Sequence, residues 1–249
     1  MSGETWIGGF HAVYAALEDG ENKPREILLS DTRRDERARR VIDAAAKANI
    51  TVRYVSRDTL DLKAPGLRHQ GVIAAVVASE VQGEDVLDVP ATSDRLLLAL
   101  DGVQDPHNLG ACLRTAEAVG VAAVIIPKDR AVGLTPVARK AAAGAAERVP
   151  VVAVTNLTRT LEKLKTLNYW ITGLAGEGEE TLYDVDLTGP LVIVMGGEGE
   201  GLRRLTRETC DRVVRIPMQG EIESLNVSVA AAVTLYEAFR QRLPRPKKR

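Results

Sequence analysis

Only two cysteines and three histidines occur in 249 residues, and the cysteines, Cys112 and Cys210, are far apart. That number and spacing exclude a disulfide framework and the paired-ligand pattern of a zinc site. No metal set, Cys–His pair or Ser–His–Asp arrangement can be assembled from so few groups without forcing. The expected chemistry therefore uses neither metal nor covalent intermediate, with both cysteines reduced and buried. No apolar run is long enough to span a bilayer, and "MSGETWIGGF" has neither the basic start nor the apolar core of a signal peptide, so a cytoplasmic location without membrane contact is expected. Excess charge is also missing. A net charge of -1 with pI near 6.4 means that any RNA contact must be local.

What is present describes an ordinary globular chain, 45% hydrophobic and 27% charged, long enough for two modest domains. Residues 1–78 alternate helix-like and strand-like segments ("FHAVYAALEDG", "REILLS", "RRVIDAAAKANI", "TVRYVS", "GVIAAVVA") and predict a small α/β domain. Trp6, Phe10 and Tyr14 fall at helical spacing and read as core. Residues 79–94, acidic, polar and broken by Pro90, read as a linker. Residues 95–249 resume the alternation with strands at "LLLALD", "AAVIIP", "VPVVAVT", "YWITGLA", "LVIVMG" and "RVVRIPM". Such a pattern predicts a parallel sheet covered on both faces, with ligands gathered at the C-terminal strand ends.

Three of those strand ends are chemically loaded. In "LDGVQDPHNLGACLRTAEAVG", Asp101 closes a strand, Pro106 sets a turn, His107 or Asn108 caps a helix, and Arg114 in its second turn suits a phosphate contact. In "LVIVMGGEGEGLRRLT" a glycine-rich turn lets backbone approach a ligand, with Glu198 inside it and a helix from about Leu202. This turn is not a dinucleotide fingerprint, because Leu202 stands where a third glycine is required, nor a Walker loop, where a lysine would follow Gly201. In "IPMQGEIESLNVSVAAAVTLYEAFRQR" a helix from Val227 to Phe239 is apolar nearly all round, which predicts burial on more than one side. Ser224, Asn226 and Ser228 crowd its entrance. One cap requires one residue, and Val227 stands where a capping box would place Glu or Gln after Ser224.

Taken together, "DPHNLGACLRTAEAVG", "VIVMGGEGEGLRR" and "IPMQGEIESLNVSVAAA" resemble the three motifs of the SpoU (TrmH) branch of the SPOUT RNA methyltransferases. "GFHAVYAAL" and "HQGVIAAV" are similar to the small RNA-binding domain of the 23S rRNA guanosine 2'-O-methyltransferases. Glu223 departs from the pattern, standing where a small uncharged residue often precedes "SLNVS". The resemblance implies an L30e-like N-terminal domain and a catalytic domain with a deep C-terminal trefoil knot, a rare exception to unknotted chains.

It further implies S-adenosylmethionine as cofactor, met by Gly196, Ile216 and Leu225 with Leu174, Gly201 and Met218 close by. It implies an obligate homodimer and catalytic residues Asn108, Arg114, Glu198, Ser224 and Asn226. Arg114 would act as base or as electrostatic stabiliser, the two roles remaining open. The implied reaction is methylation of the ribose 2'-hydroxyl of a guanosine in the peptidyl-transferase region of 23S rRNA, on free rRNA or a large-subunit assembly intermediate. The alternatives are a tRNA ribose 2'-O-methyltransferase and a non-catalytic RNA-binding ribosome-assembly factor. With RNA as partner, Arg33, Arg37 and Arg40, read as one side of a helix, gain a role as a phosphate-contacting face.

Overall fold

The computed structural model describes residues 4–18, 23–67, 69–77, 81–88, 91–92, 94–199 and 201–244. The chain divides into two compact units, Met1–Glu80 and Val81–Arg249.

The first unit runs β1 (Glu4–Gly8), α1 (Phe10–Glu18), β2 (Glu26–Ser30), α2 (Glu36–Lys47), β3 (Thr51–Val55), α3 (Arg57–Lys63) and β4 (Val72–Val77). Its sheet has the order β1-β4-β2-β3, with only β2 and β3 parallel. Alternation sorts the side chains to two faces. Ile27, Leu29, Val72 and Ala74 pack with Phe10, Val13 and Val41 of α1 and α2, whereas Leu28 and Ile73 pack with Leu60 of α3.

Sequence periodicity misplaces Trp6, which lies on β1 with the Lys63 ammonium 5.4 Å from its ring centroid. Phe10 is buried and Tyr14 half-buried on α1. The basic cluster is likewise not one side of a helix. Asp35 caps α2 by accepting from the Ala38 N–H at 3.0 Å, so Arg33 precedes the helix and pairs with Asp35 at 2.6 Å. Arg33 and Arg40 lie 5.6 and 5.3 Å from the ring centroids of Phe10 and Tyr14. Their stems therefore cover apolar surface as well as carrying charge.

The second unit runs β5 (Leu96–Asp101), α4 (Pro106–Ala118), β6 (Ala123–Pro127), α5 (Pro136–Ala142), β7 (Val151–Val154) and α6 (Leu157–Thr166). It continues through β8 (Trp170–Leu174), β9 (Glu180–Thr181), β10 (Leu191–Gly196), α7 (Arg204–Thr209), β11 (Arg212–Arg215) and α8 (Val227–Arg242). The seven strands, in the order β7-β6-β5-β10-β8-β11-β9, are all parallel. Both faces are covered, which is why β5 and β6 read as unbroken apolar runs rather than alternating ones. Leu98, Leu100 and Ile193 face α4 and α8, while Leu97, Ala99 and Val192 pack in the opposite layer with Leu157 and Leu161 of α6.

Part of the expected linker belongs to this unit. Gln82 pairs with the edge of β7, its N–H donating to Val151 O at 2.8 Å and its carbonyl accepting from the Ala153 N–H at 3.1 Å. Leu87, at the end of a 3₁₀ turn (Glu84–Leu87), is buried in the layer beneath.

Successive strands leave β5 in opposite directions: β6 and β7 to one side, β10 and its neighbours to the other. The crevice at such a switch point lies outside the C-terminal ends of β5 and β10. The position of α4 there depends on Gly110, where a Cβ would lie 2.4 Å from the Ala141 Cβ and 2.6 Å from the Ala138 carbonyl oxygen on α5. Gly110→Val should destabilise the protein by about 3 kcal/mol through overpacking. Gly133→Ala, with nothing within 4 Å of the new atom, should shift stability by less than about 0.5 kcal/mol. Urea denaturation of the two variants checks this.

Candidate functional site

Adjacent strands bring Asp101, Gly196 and Leu174 side by side, because Gly196 pairs with Asp101 and Leu174 with Met195. Ile216 follows the end of β11, next to β8 on its far side. Above this row lie three loops: the glycine turn after β10, the Ala175–Glu179 loop after β8, and residues 216–226 between β11 and α8.

The first of these folds tightly on itself. Gly197 bridges Gly201, and a Cβ on Gly196 would lie 2.1 Å from the Gly201 carbonyl carbon. Gly201 has φ +65°, a conformation that glycine adopts without steric cost. The other two loops touch: Gly178 abuts the backbone of Val214 and Arg215, and Gly176 faces the Glu223 carbonyl oxygen.

A directional chain of hydrogen bonds links three motifs. Asn226 caps α8, its Oδ1 accepting from the Ser228 N–H at 2.9 Å and the Ser228 hydroxyl at 2.7 Å. Its Nδ2 donates to Asn108 Oδ1 at 3.1 Å, and Asn108 Nδ2 donates to Glu198 Oε1 at 2.5 Å. The Gln104 N–H donates to the other carboxylate oxygen at 3.4 Å. Each amide orientation is fixed by its neighbour. An ionised carboxylate only accepts, so Asn108 presents its NH₂ to Glu198 and its oxygen to Asn226.

Asn108 therefore does not cap α4. Asp105 does, by accepting from the His107 N–H at 2.8 Å, with Pro106 as the first helical residue. Asn108 is buried one turn in, facing the glycine loop. His107 is exposed.

Arg114 and Ser224 are not brought into this chain. Arg114 is exposed on α4 and makes no hydrogen bond or ion pair among the described residues. Ser224 is exposed and likewise unbonded among them. Of the expected cofactor contacts, Leu174 is buried, Gly196, Ile216 and Leu225 are half-buried, and Gly201 and Met218 are exposed. No backbone N–H from Ile216 to Leu225 donates to another described group. The loop thus offers a run of free donors over the strand ends.

Sequence reasoning missed Arg203 and Arg130. Asp101 is 2% exposed at the end of an apolar strand, and a carboxylate so placed requires compensation. It comes from Arg203, whose Nε lies 2.7 Å from Asp101 Oδ1 and whose N–H donates to Oδ2 at 2.9 Å. That burial demand was the available signal. Arg203 also stands at the N-cap position of α7, which begins at Arg204, two residues beyond Leu202. Arg130 lines the same crevice as Asn108 and Glu198 and carried no sequence signal.

Burial, reinforced by the Glu198 charge, pushes the Cys112 thiol up to about 12. Burial first, then Asp211, pushes Cys210 to about 12 as well. Neither is a thiolate at neutral pH. Among the described residues, no group of three or more His, Cys, Asp or Glu could hold a metal ion.

Free backbone donors, a glycine turn and a carboxylate relay at a switch point define a ligand-binding α/β unit. Residues 95–236 match the SpoU rRNA Methylase family, and residues 6–82 match RNA 2'-O ribose methyltransferase substrate binding. The chain belongs to the SpoU rRNA methylase family. It is 52% identical to the 23S rRNA (guanosine-2'-O-)-methyltransferase RlmB of Pseudomonas syringae pv. tomato, over 97% of each chain. Its fold is similar to that of an RNA 2'-O ribose methyltransferase (TM-score 0.79, 29% identity, 97% of this chain and 90% of the other). It is also similar to the SpoU methyltransferase AviRb from Streptomyces viridochromogenes, solved in complex with AdoMet (TM-score 0.77, 26% identity, 96% and 91%).

Two outcomes are expected. Asn226→Ala should cost about 1–2 kcal/mol through the lost cap, whereas Asn226→Asp, an equivalent cap, should retain most of that stability while losing the donor to Asn108. Thermal denaturation separates the two variants. Iodoacetamide at pH 8 should label neither cysteine in the native protein and both in urea, as counted by mass spectrometry.

Proposed function

We propose that the chain transfers a methyl group from S-adenosylmethionine to the ribose 2'-oxygen of a guanosine in 23S rRNA, in the peptidyl-transferase region. The observation that carries this reading is the Asn226–Asn108–Glu198 relay, which couples the helix entrance, the α4 motif and the glycine turn at one point.

The residues present fit the cofactor. The strand-end row includes one glycine, Gly196, nothing stands within 4 Å of where a Cβ would lie on Gly199 or Gly201, and the 216–225 N–H groups donate to no other described group. Gly196, Ile216 and Leu225 would hold it mainly through backbone, with Leu174, Gly201 and Met218 around it. When bound, it supplies an electrophilic methyl on a sulfonium. Glu198, oriented by Asn108 and Gln104, and Ser224 at the start of the same helix approach would hold the ribose in line, so that positioning supplies much of the rate. Arg114 is a guanidinium without a partner among the described residues. Because such a group stays protonated, we assign it stabilisation of charge developing at the 2'-oxygen and on an adjoining phosphate.

The same reading includes a trefoil knot formed by the three loops and an L30e-like fold for the first unit. The contacts of the loop after β8 with β11 and with Glu223, and the Arg215 guanidinium donating to the Glu179 carbonyl at 2.6 Å, support the knot. A homodimer would pair across the outer face of α8. There Val229 and Tyr236 are exposed, and Val233 and Phe239 are only partly covered, more apolar surface than a lone helix normally presents to water. A cytoplasmic setting, with free rRNA or a large-subunit assembly intermediate as substrate, belongs to this reading. The expected domain roles carry over as RNA binding for residues 1–78 and methyl transfer for 95–249.

The test incubates the protein with isotopically labelled S-adenosylmethionine and unmodified 23S rRNA transcript, followed by nuclease digestion and mass spectrometry. Label is expected in 2'-O-methylguanosine. Arg114→Ala should lower kcat by roughly 100-fold or more with the cofactor Kd within about twofold, since Arg114 is outside the strand-end row. Normal turnover by Arg114→Ala would overturn its role, and label on tRNA alone would overturn the substrate.

A further inference from the structure

The Asn108–Glu198 bond borders a cleft of about 620 Å³ whose lining also includes Asp101, Asp105, Arg130 and Arg203. Most of these charges are already engaged. Asp101 holds Arg203, and Glu198 accepts from Asn108 and Gln104. Asp105 uses one oxygen to cap α4, and its other oxygen has no partner among the described residues. Arg130 makes no hydrogen bond or ion pair among them. Among the described residues this leaves the Arg130 guanidinium and one Asp105 oxygen wholly uncommitted, beside the unbonded Nη2 of Arg203.

Arg130 stands in an unusual backbone. Its φ is +58°, in the left-handed region, and its loop is tied down where the Val132 N–H donates to Val103 O at 2.9 Å. Glycine would occupy that conformation with less strain. Arginine at this exposed position therefore points to a use for the side chain rather than for the turn.

The charge of the lining selects the kind of ligand. Three carboxylates against two guanidinium groups leave it net negative, which disfavours a phosphate. A neutral base with acceptors on one edge and donors on the next suits it better. Guanine has this pattern: O6 and N7 accept, while N1–H and the N2 amino group donate. Adenine presents an amino group where guanine has O6 and an acceptor at N1, so both contacts would be mismatched.

We propose that this cleft reads the base of the nucleotide being methylated, with Arg130 donating to guanine O6 and N7 and Asp105 accepting from N1–H or the N2 amino group. The assignment rests on the reading of the chain as a guanosine 2'-O-methyltransferase and supplies its base selectivity. Arg203, held by Asp101, is a positioning residue that fixes the glycine turn forming the cleft wall.

The experiment uses the full chain and its Arg130→Gly and Asp105→Asn variants, the second of which keeps a competent helix cap. Methyl transfer is measured on 23S rRNA transcript and on transcript with the mapped target guanosine replaced by adenosine. Arg130→Gly should melt at or above the wild-type temperature and keep its thermal shift with S-adenosylmethionine. It should lose roughly 10- to 100-fold in kcat/KM on the guanosine transcript with little change on the adenosine one. Asp105→Asn should narrow the same ratio. An equal loss on both transcripts, marking a phosphate contact, or an unchanged ratio would overturn the assignment.

A readout independent of catalysis uses saturation-transfer NMR with guanosine and adenosine as probes. Guanosine contact that disappears in Arg130→Gly supports the cleft even if no rRNA is methylated, an outcome that would sink the catalytic reading alone. Contact that is equal for the two nucleosides, or unchanged by the substitution, overturns the cleft.

Discussion

The hydrogen bond from Asn108 to Glu198 spans ninety residues of sequence and closes the crevice where the sheet changes direction. Much of the site depends on it. It holds a carboxylate at the tip of a glycine turn, and through Asn226 it ties that turn to the entrance of α8. A glycine-rich loop gains close approach at the cost of conformational freedom. Anchoring that loop from a buried helical amide restores order without filling the space a ligand needs.

The buried pair behind it works in a different way. Asp101 is fully enclosed, and Arg203 neutralises it while remaining partly open to the crevice. Removing either partner of such a pair leaves an uncompensated charge, a far larger penalty than the pair itself contributes. The glycine turn is thus anchored twice, once by a neutral amide and once by an ion pair. Arg130 and Arg114 are outside both anchors, and neither guanidinium has a partner among the described residues.

How much of this was legible in the sequence depended on whether a residue's surroundings were local. The six apolar strands of the second unit were readable because burial on both faces leaves continuous runs such as "LLLALD" and "LVIVMG". Elements with weak patterns escaped: β1 lies in a mixed stretch with Trp6, α3 is seven residues long, and β9 has two residues. Residues 82–88 read as linker because backbone pairing and one buried leucine leave little trace in composition. The three motifs around Asn108, Glu198 and Asn226 were found as polar clusters at strand ends. Their connection to one another was not, since its two bonds join positions 90 and 118 residues apart. Arg203 was recoverable in principle from a buried Asp101, and Arg130 was not, because its significance is in a backbone angle.

The docked segment around Gln82 also governs how this protein can meet others. A parallel sheet ends in two rows of unsatisfied peptide groups, each a template for adding a foreign strand. Here one row is occupied by the protein's own chain at β7, and the other terminates in a strand only two residues long. Neither margin offers the length needed for strand addition or fibril-like stacking. Association through this sheet is thereby channelled away from the backbone and onto side-chain surfaces, where shape and chemistry can discriminate between partners.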